Sequence, residues 1–232
     1  MTAQTAAVPK AATGSFSALD RLRKDILSGA FEPGQWLRII DLRERYELGA
    51  SPLREALSKL AAEQLLVQEA NRGFRVPTLD KDELHDIFSL RRKLEPEAAH
   101  NSVRLGDENW EDQLVLAFRR LERLGAPDEI LAAEFDERAK EWEQAHRNFH
   151  STLIAACGSP WTQHFCLVLS DQFDRYRRFA RPSAAVQKRL AKQHKQILDL
   201  ALARDADACA KLLDEHVVLT ADAVLAAIED IA

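Results

Sequence analysis

The feature that most constrains this chain is its helical periodicity. From Pro77 onward, apolar residues recur at helical spacing and no segment has the alternation that predicts a strand. The composition agrees, because the 232 residues include only 8 Gly and 8 Pro. Helix-breaking sequences interrupt the stretch at Gly106, Gly125-Ala126-Pro127, Gly158-Ser159-Pro160, Pro182 and Asp205. We therefore expect a mostly α fold, with residues 79–232 forming an antiparallel bundle of about six helices.

The first 78 residues have a different pattern, made of shorter segments. Apolar side chains at helical spacing predict one helix over residues 19–27 and a second from Ile39. Ser51-Pro52 predicts the start of a third, with Ser51 as its N-cap. Two short apolar runs around Asn71-Arg72-Gly73 predict a β-hairpin. We expect a winged helix-turn-helix over residues 15–78, preceded by a flexible tail, residues 1–14.

Composition and charge exclude several other classes of protein. No apolar run is long enough to span a membrane, and the first residues lack the features of a secretory signal. Three cysteines without metal-type spacing indicate reduced thiols in a cytoplasmic protein. Residues 1–78 carry 11 Lys and Arg against 9 Asp and Glu, whereas residues 79–232 carry 21 against 28. A slightly basic N-terminal segment and an acidic remainder favour two separate roles for the two parts of the chain.

The segment from Arg45 to Leu57, RYELGASPLREAL, resembles the GntR family of bacterial transcription regulators. Pro33-Gly34 and Arg72-Gly73 stand at spacings that support the resemblance. It implies double-stranded operator DNA as a partner. Many members carry Arg where this chain has Ala50, so a usual base contact is missing.

Recognition helices present their first turn to base edges, and wings contact the backbone or the minor groove. Arg38, Arg43 and Arg45 are candidates to compensate for Ala50, although each is equally explained as a solvated surface residue. The expected DNA-binding residues are Arg38, Arg43, Ser51, Arg54, Arg72, Gly73 and Arg75.

Four histidines occupy core-facing positions on three predicted helices. His146 and His150 are four residues apart and share a helix face, while His194 and His216 lie on the apolar stripes of two later helices. A single core histidine is usually a hydrogen-bonded packing residue, and that alternative remains open for each. Four that converge in an apolar bundle favour a divalent metal ion, with Zn²⁺ as the expected one.

The same part of the chain resembles the FCD domain of the FadR subfamily of GntR regulators. The resemblance rests on Arg91-Arg-Lys-Leu-Glu95, Phe149-His150, and the two later histidines. It implies that His150, His194 and His216 hold one metal ion and that the effector is a small organic acid. His146 stands where Asp is usual, which would leave the metal site more positive.

An acid effector needs a group that binds a carboxylate. Arg91 lies beside an apolar stripe, although Glu95 at i+4 is equally able to neutralise it. Gln172 interrupts another stripe, with Arg175 one turn further on. Arg91, Gln172 and Arg175 are therefore the candidate carboxylate clamp.

These features together predict a cytoplasmic, homodimeric repressor that a small carboxylate releases from its operator. The sequence of residues 45–54 resembles that of a branch of the family linked to dicarboxylate catabolism, which favours a dicarboxylate as the effector. Two alternatives stay open: a metal-dependent enzyme in a helical bundle, and a DNA-binding regulator whose metal is purely structural. We expect no catalytic residues.

Overall fold

The computed structural model describes residues 10–125, 137–177 and 183–229. The chain divides into two compact units, Met1–Thr78 and Leu79–Ala232. The predicted fold class is confirmed: the described residues are mostly helical, and the strands among them form one small antiparallel sheet in the first unit.

The first unit contains three helices and three short strands among its described residues. The chain order is α1 (Lys10–Ser28), β1 (Trp36–Leu37), α2 (Ile39–Tyr46), α3 (Ala50–Ala62), β2 (Val67–Glu69) and β3 (Gly73–Arg75). The sheet order is β1-β3-β2, with both pairings antiparallel, so β2 and β3 form the wing and β1 lies at the sheet edge.

A leucine-rich core holds this unit together, because α1 packs against α3 and α3 packs against α2. Leu22, Leu53, Leu57 and Leu60 are completely buried in it, each worth about 1.5–3 kcal/mol of transfer free energy. The hydroxyl of Tyr46 donates a 2.6 Å hydrogen bond to an Asp25 carboxylate oxygen, which fastens α2 to α1.

Two sequence predictions for this unit are corrected, and the structure adds one strand that the sequence did not predict. The helix α1 begins at Lys10, where two alanines favour helix, so residues 10–14 are not a tail; residues 1–9 lie outside the described part. The N-cap of α3 is Gly49 rather than Ser51, since the chain turns at Glu47 (φ 55°) and enters the helix two residues earlier. The strand β1 has only two residues, too few for an alternating pattern to reveal it.

Helices are the only regular secondary-structure elements among the described residues of the second unit. Its helices are α4 (Lys81–Leu105), α5 (Glu108–Leu124), α6 (Glu137–Leu153), α7 (Pro160–Arg177), α8 (Ala184–Leu202) and α9 (Ala206–Glu229). Side chains of Asp80, Asp107 and Ser183 cap α4, α5 and α8 by accepting hydrogen bonds from backbone N–H groups.

The packing of these helices places the histidine-bearing segments together. The long helix α4 packs against α7 and α9, α5 packs against α6, and α8 packs against α9. A continuous apolar core includes Phe149 and Leu153 of α6, Ile197 of α8 and Val217 of α9. None of the described helices is long and apolar enough to cross a membrane.

Candidate metal centre and nucleic-acid interface

The helix α3 has the two-sided character that a recognition helix needs. Leu53, Ala56, Leu57 and Leu60 are buried on one side, while Arg54 is exposed on the other. Four of the predicted DNA-binding residues line a surface groove between α3 and the wing: Arg38, Arg54, Arg72 and Gly73. Since Gly73 has φ of 102°, a side chain there would strain the wing turn.

The other predicted DNA-binding residues do not line this groove. Arg43 lines a separate depression with Ile40 and Glu47, and Ser51 is exposed on the first turn of α3. Arg75 donates a 2.8 Å hydrogen bond from Nε to a Glu69 carboxylate oxygen. Glu69 therefore partly neutralises the wing, and the hydrogen bond from Arg75 lowers the pKa of that carboxyl.

The four predicted histidines form a compact cluster in the second unit. One ring nitrogen from each of His146, His150, His194 and His216 lies within 4.8 Å of the corresponding nitrogen of every other. Within the cluster, Nε2 of His150 and Nε2 of His194 are 3.1 Å apart. Three helices, α6, α8 and α9, thus present imidazole nitrogens to one point.

The electrostatics of the cluster favour neutral imidazoles. Burial lowers the pKa of all four rings, and the cationic Arg177 guanidinium adds to that lowering. The pKa of His194 falls to about 3. Neutral imidazoles keep the lone pairs that a metal ion requires, so the cluster is prepared for coordination at physiological pH.

Neighbouring side chains orient two of the rings. Nδ1 of His216 lies 3.2 Å from the side-chain oxygen of the buried Gln193. An Nδ1–H that donates to this oxygen leaves Nε2 as the lone-pair nitrogen. The ring of Trp142 stacks on His146, with centroids 4.9 Å apart and planes inclined by 18°.

A small cavity adjoins the cluster, with a volume of about 40 Å³. One water needs roughly 10–15 Å³, so the space suits a few waters or a carboxylate group. Its lining includes three of the histidines, three hydroxyl residues, and the Arg91–Glu95 pair. Nε of Arg91 donates a 2.6 Å hydrogen bond to Glu95 in this pair, and Nη2 donates a 3.2 Å one.

The remaining guanidinium nitrogen, Nη1 of Arg91, is buried and has no hydrogen-bond partner among the described residues. A buried donor of this kind is costly unless a ligand or water satisfies it. The guanidinium also lies over the Phe173 ring, 4.3 Å from its centroid, which fixes its plane. Of the three predicted clamp residues, Arg91 is therefore the one that lies beside the histidine cluster.

Sequence reasoning missed a charged layer in the cavity wall, where Arg147, Asp174 and Arg177 line the cavity. Arg177 pairs with Glu143 and Asp174, and Arg147 donates a 2.8 Å hydrogen bond to Asp174. Burial alone would raise the pKa of Asp174, but the two guanidinium groups outweigh it and lower that pKa to about 2.

Gln172 and Arg175 do not reach the cavity, which corrects that part of the predicted clamp. Nη1 of Arg175 donates a 2.6 Å hydrogen bond to the Gln172 oxygen, and Nη2 lies 3.5 Å from Glu83 near the start of α4. Both are buried, and neither lines the cavity beside the histidines. A buried polar residue in α7 could face either way, and the sequence does not distinguish the two.

Comparisons with known protein families agree with both halves of this description. Residues 17–76 match the gntR family of bacterial regulatory proteins, and residues 86–219 match the FCD domain. This chain belongs to the GntR family and carries an FCD domain. The protein is therefore a DNA-binding transcriptional regulator rather than an enzyme.

Individual relatives support the assignment. The regulator is 41% identical over 197 residues to the HTH-type transcriptional regulator BphR of Paraburkholderia xenovorans, covering 85% of this chain and 79% of BphR. It is 33% identical over 201 residues to the HTH-type transcriptional repressor GlaR of Escherichia coli, covering 85% of this chain and 89% of GlaR.

The solved structure of E. coli McbR/YncC has the same fold. Its TM-score is 0.77 at 18% identity, with 94% of this chain and 99% of that chain covered.

Proposed function

We propose that the regulator is a cytoplasmic, homodimeric repressor whose operator binding is controlled by a small dicarboxylate at a metal ion in the FCD domain. One juxtaposition carries the proposal. Four neutral imidazoles converge within 4.8 Å, and Arg91 lines the cavity beside them. Its Nη1 is a buried donor that no residue in the described part of the chain satisfies.

The donor set fits a divalent transition metal. Imidazole nitrogens suit Zn²⁺, Ni²⁺, Co²⁺ and Cu²⁺, whereas Mg²⁺ and Ca²⁺ prefer oxygen ligands. His150, His194 and His216 would hold the ion, and His146 would be a fourth ligand. The bound ion would supply a Lewis-acidic position for a carboxylate oxygen.

A second carboxylate of the effector would pair with Arg91. Its Nη1 is the open donor, while Glu95 keeps the other two nitrogens in place. All-histidine ligation leaves the charge of a divalent ion uncompensated, so an anion is the favoured ligand class. Binding would tie α4 to α6, α8 and α9, and coupling of ~1–3 kcal/mol to operator affinity is typical of such linkage.

The proposal of a dimeric repressor has separate support. Helix-turn-helix dimers read two half-sites of a pseudo-palindromic operator. The relative GlaR is named a repressor. Release of the operator on effector binding would make this chain an inducible repressor.

Calorimetry with succinate tests the proposal. We expect the Zn²⁺-loaded protein to bind succinate, and EDTA-treated protein to lose that binding while its circular dichroism and melting transition persist. The His194→Ala variant should behave like the chelated protein. The His164→Ala variant, an exposed histidine on α7, is the matched control and should bind normally.

Each other outcome assigns a different role to the metal. Unfolding on chelation would make the ion structural only. Chelator-insensitive binding of succinate would place the effector away from the histidines. Binding of succinate that leaves operator affinity unchanged in a fluorescence-anisotropy titration would reject the regulatory role.

A further inference from the structure

The first unit carries an aromatic side chain on its DNA-facing groove that the sequence did not single out. Trp36 lies in the edge strand β1, directly opposite Arg75 of the wing strand β3. Its side chain is 37% exposed and lines the groove together with Arg38, Arg54 and Arg72.

The charge of this groove indicates which class of molecule binds in it. Three arginines and one carboxylate, Glu69, line it, so the groove favours a polyanion. One wall is the recognition helix, which faces the major groove, and the other is the wing, which faces the backbone or the minor groove. A sugar–phosphate strand separates the two grooves of a duplex, so one strand must pass over the floor between these walls.

Trp36 is suited to both parts of that strand. The deoxyribose ring presents C–H groups that pack on an aromatic face, and the phosphate oxygens accept hydrogen bonds. The indole N–H of Trp36 makes no hydrogen bond to any residue in the described part of the chain, so it is free to donate.

We propose that Trp36 is a DNA-positioning residue that seats one sugar–phosphate strand between the recognition helix and the wing. Its ring packs on a deoxyribose, and its N–H donates to a phosphate oxygen. Because every nucleotide has this backbone, the contact is independent of base sequence. It differs from the arginine contacts because it releases no counterion.

The test uses two duplexes and matched variants of the full-length protein. One 30-base-pair duplex is selected from a random library by binding to the wild type, and the other is an unselected duplex of equal length. Trp36→Ala should weaken binding to both by a similar factor, about tenfold at fixed salt. Trp36→Phe should recover part of the loss. Trp161→Phe, an exposed tryptophan of the second unit, is the control and should bind like the wild type.

The salt dependence distinguishes this contact from a charge contact. The slope of log affinity against log salt should be unchanged in Trp36→Ala, whereas Arg54→Ala should reduce it by about one if Arg54 meets a phosphate. Affinity within twofold of the wild type for Trp36→Ala would overturn the proposal. So would a tenfold loss confined to the selected duplex.

Fluorine NMR separates direct contact from a structural role in the wing. Protein labelled with 5-fluorotryptophan gives one resonance for each of its 4 tryptophans, and Trp36→Phe identifies the one of interest. On saturation with the unselected duplex, that resonance should shift and lose its sensitivity to exchange of H₂O for D₂O. A resonance that remains solvent-sensitive in the complex would show that Trp36 acts only through the fold, and would reject the proposal.

Discussion

Replacement of the Arg91–Glu95 pair separates its structural role from its proposed effector role. Both side chains are buried, with 10% and 6% exposure, and the pair is doubly hydrogen-bonded. Arg91→Met would leave the Glu95 carboxylate buried without its cation. Breaking a buried pair in this way costs about 3–5 kcal/mol. For a unit of this size, we expect the Tm to fall by roughly 10 °C.

The double variant Arg91→Met/Glu95→Met removes both charges together. Replacement of a whole buried pair by apolar side chains is often neutral or stabilising, so its stability should return to within about 1 kcal/mol of the wild type. Urea unfolding followed by circular dichroism measures the free energy of unfolding of the wild type, of Arg91→Met, of Glu95→Met and of the double variant. A double variant as unstable as Arg91→Met would show that the pair does not act as a compensated unit.

The effector role predicts a loss that the double variant does not restore. A hydrogen bond to a charged group contributes about 1.5–3 kcal/mol, so succinate affinity should fall roughly 10- to 150-fold in both variants. Acetate has a single carboxylate and should bind the Zn²⁺-loaded variants as it binds the wild type. Unchanged succinate affinity in the stable double variant would refute the assignment of Arg91.

Three further predictions concern the DNA contact, the charged layer and a helix junction. Arg54→Ala should weaken operator binding roughly 5- to 150-fold for each half-site in anisotropy titrations, with Arg120→Ala as an exposed control. The pKa of Asp174 is about 2 when folded, so its stabilisation is present above pH 4 and lost as the pH falls towards 2. Acid titration of Asp174→Asn should therefore lack about 2 kcal/mol of that pH dependence. Gly106→Ala should destabilise the bundle by about 1–3 kcal/mol in thermal melts, because a Cβ there would overlap the ring of Trp110.

Periodicity predicted the parts of the fold in which one face of a helix is buried. Helical spacing assigned His146 and His150 to one face, and the structure places their rings 4.6 Å apart. The same reasoning found Arg91 because its neighbours along the helix are apolar. The local pattern was sufficient in these cases because the burial of one face decides where each side chain points.

Other features depended on which neighbour a buried face meets. The helix α7 is buried on more than one side, so helical spacing alone did not distinguish Gln172 from a residue that lines the cavity. The cavity side carries Asp174 and Arg177, while Gln172 faces away. The partner of Gln193 was also hidden, because its hydrogen bond to His216 joins residues on two helices. Such contacts follow from tertiary packing, which one sequence does not encode locally.

The most direct test of the account is the metal content of protein purified without added metal, measured together with dicarboxylate binding. We expect about one divalent transition-metal ion per chain, held by the histidine cluster. We also expect succinate binding that disappears with chelation and returns with Zn²⁺. A folded, metal-free protein that binds succinate and releases its operator equally well would contradict the central claim.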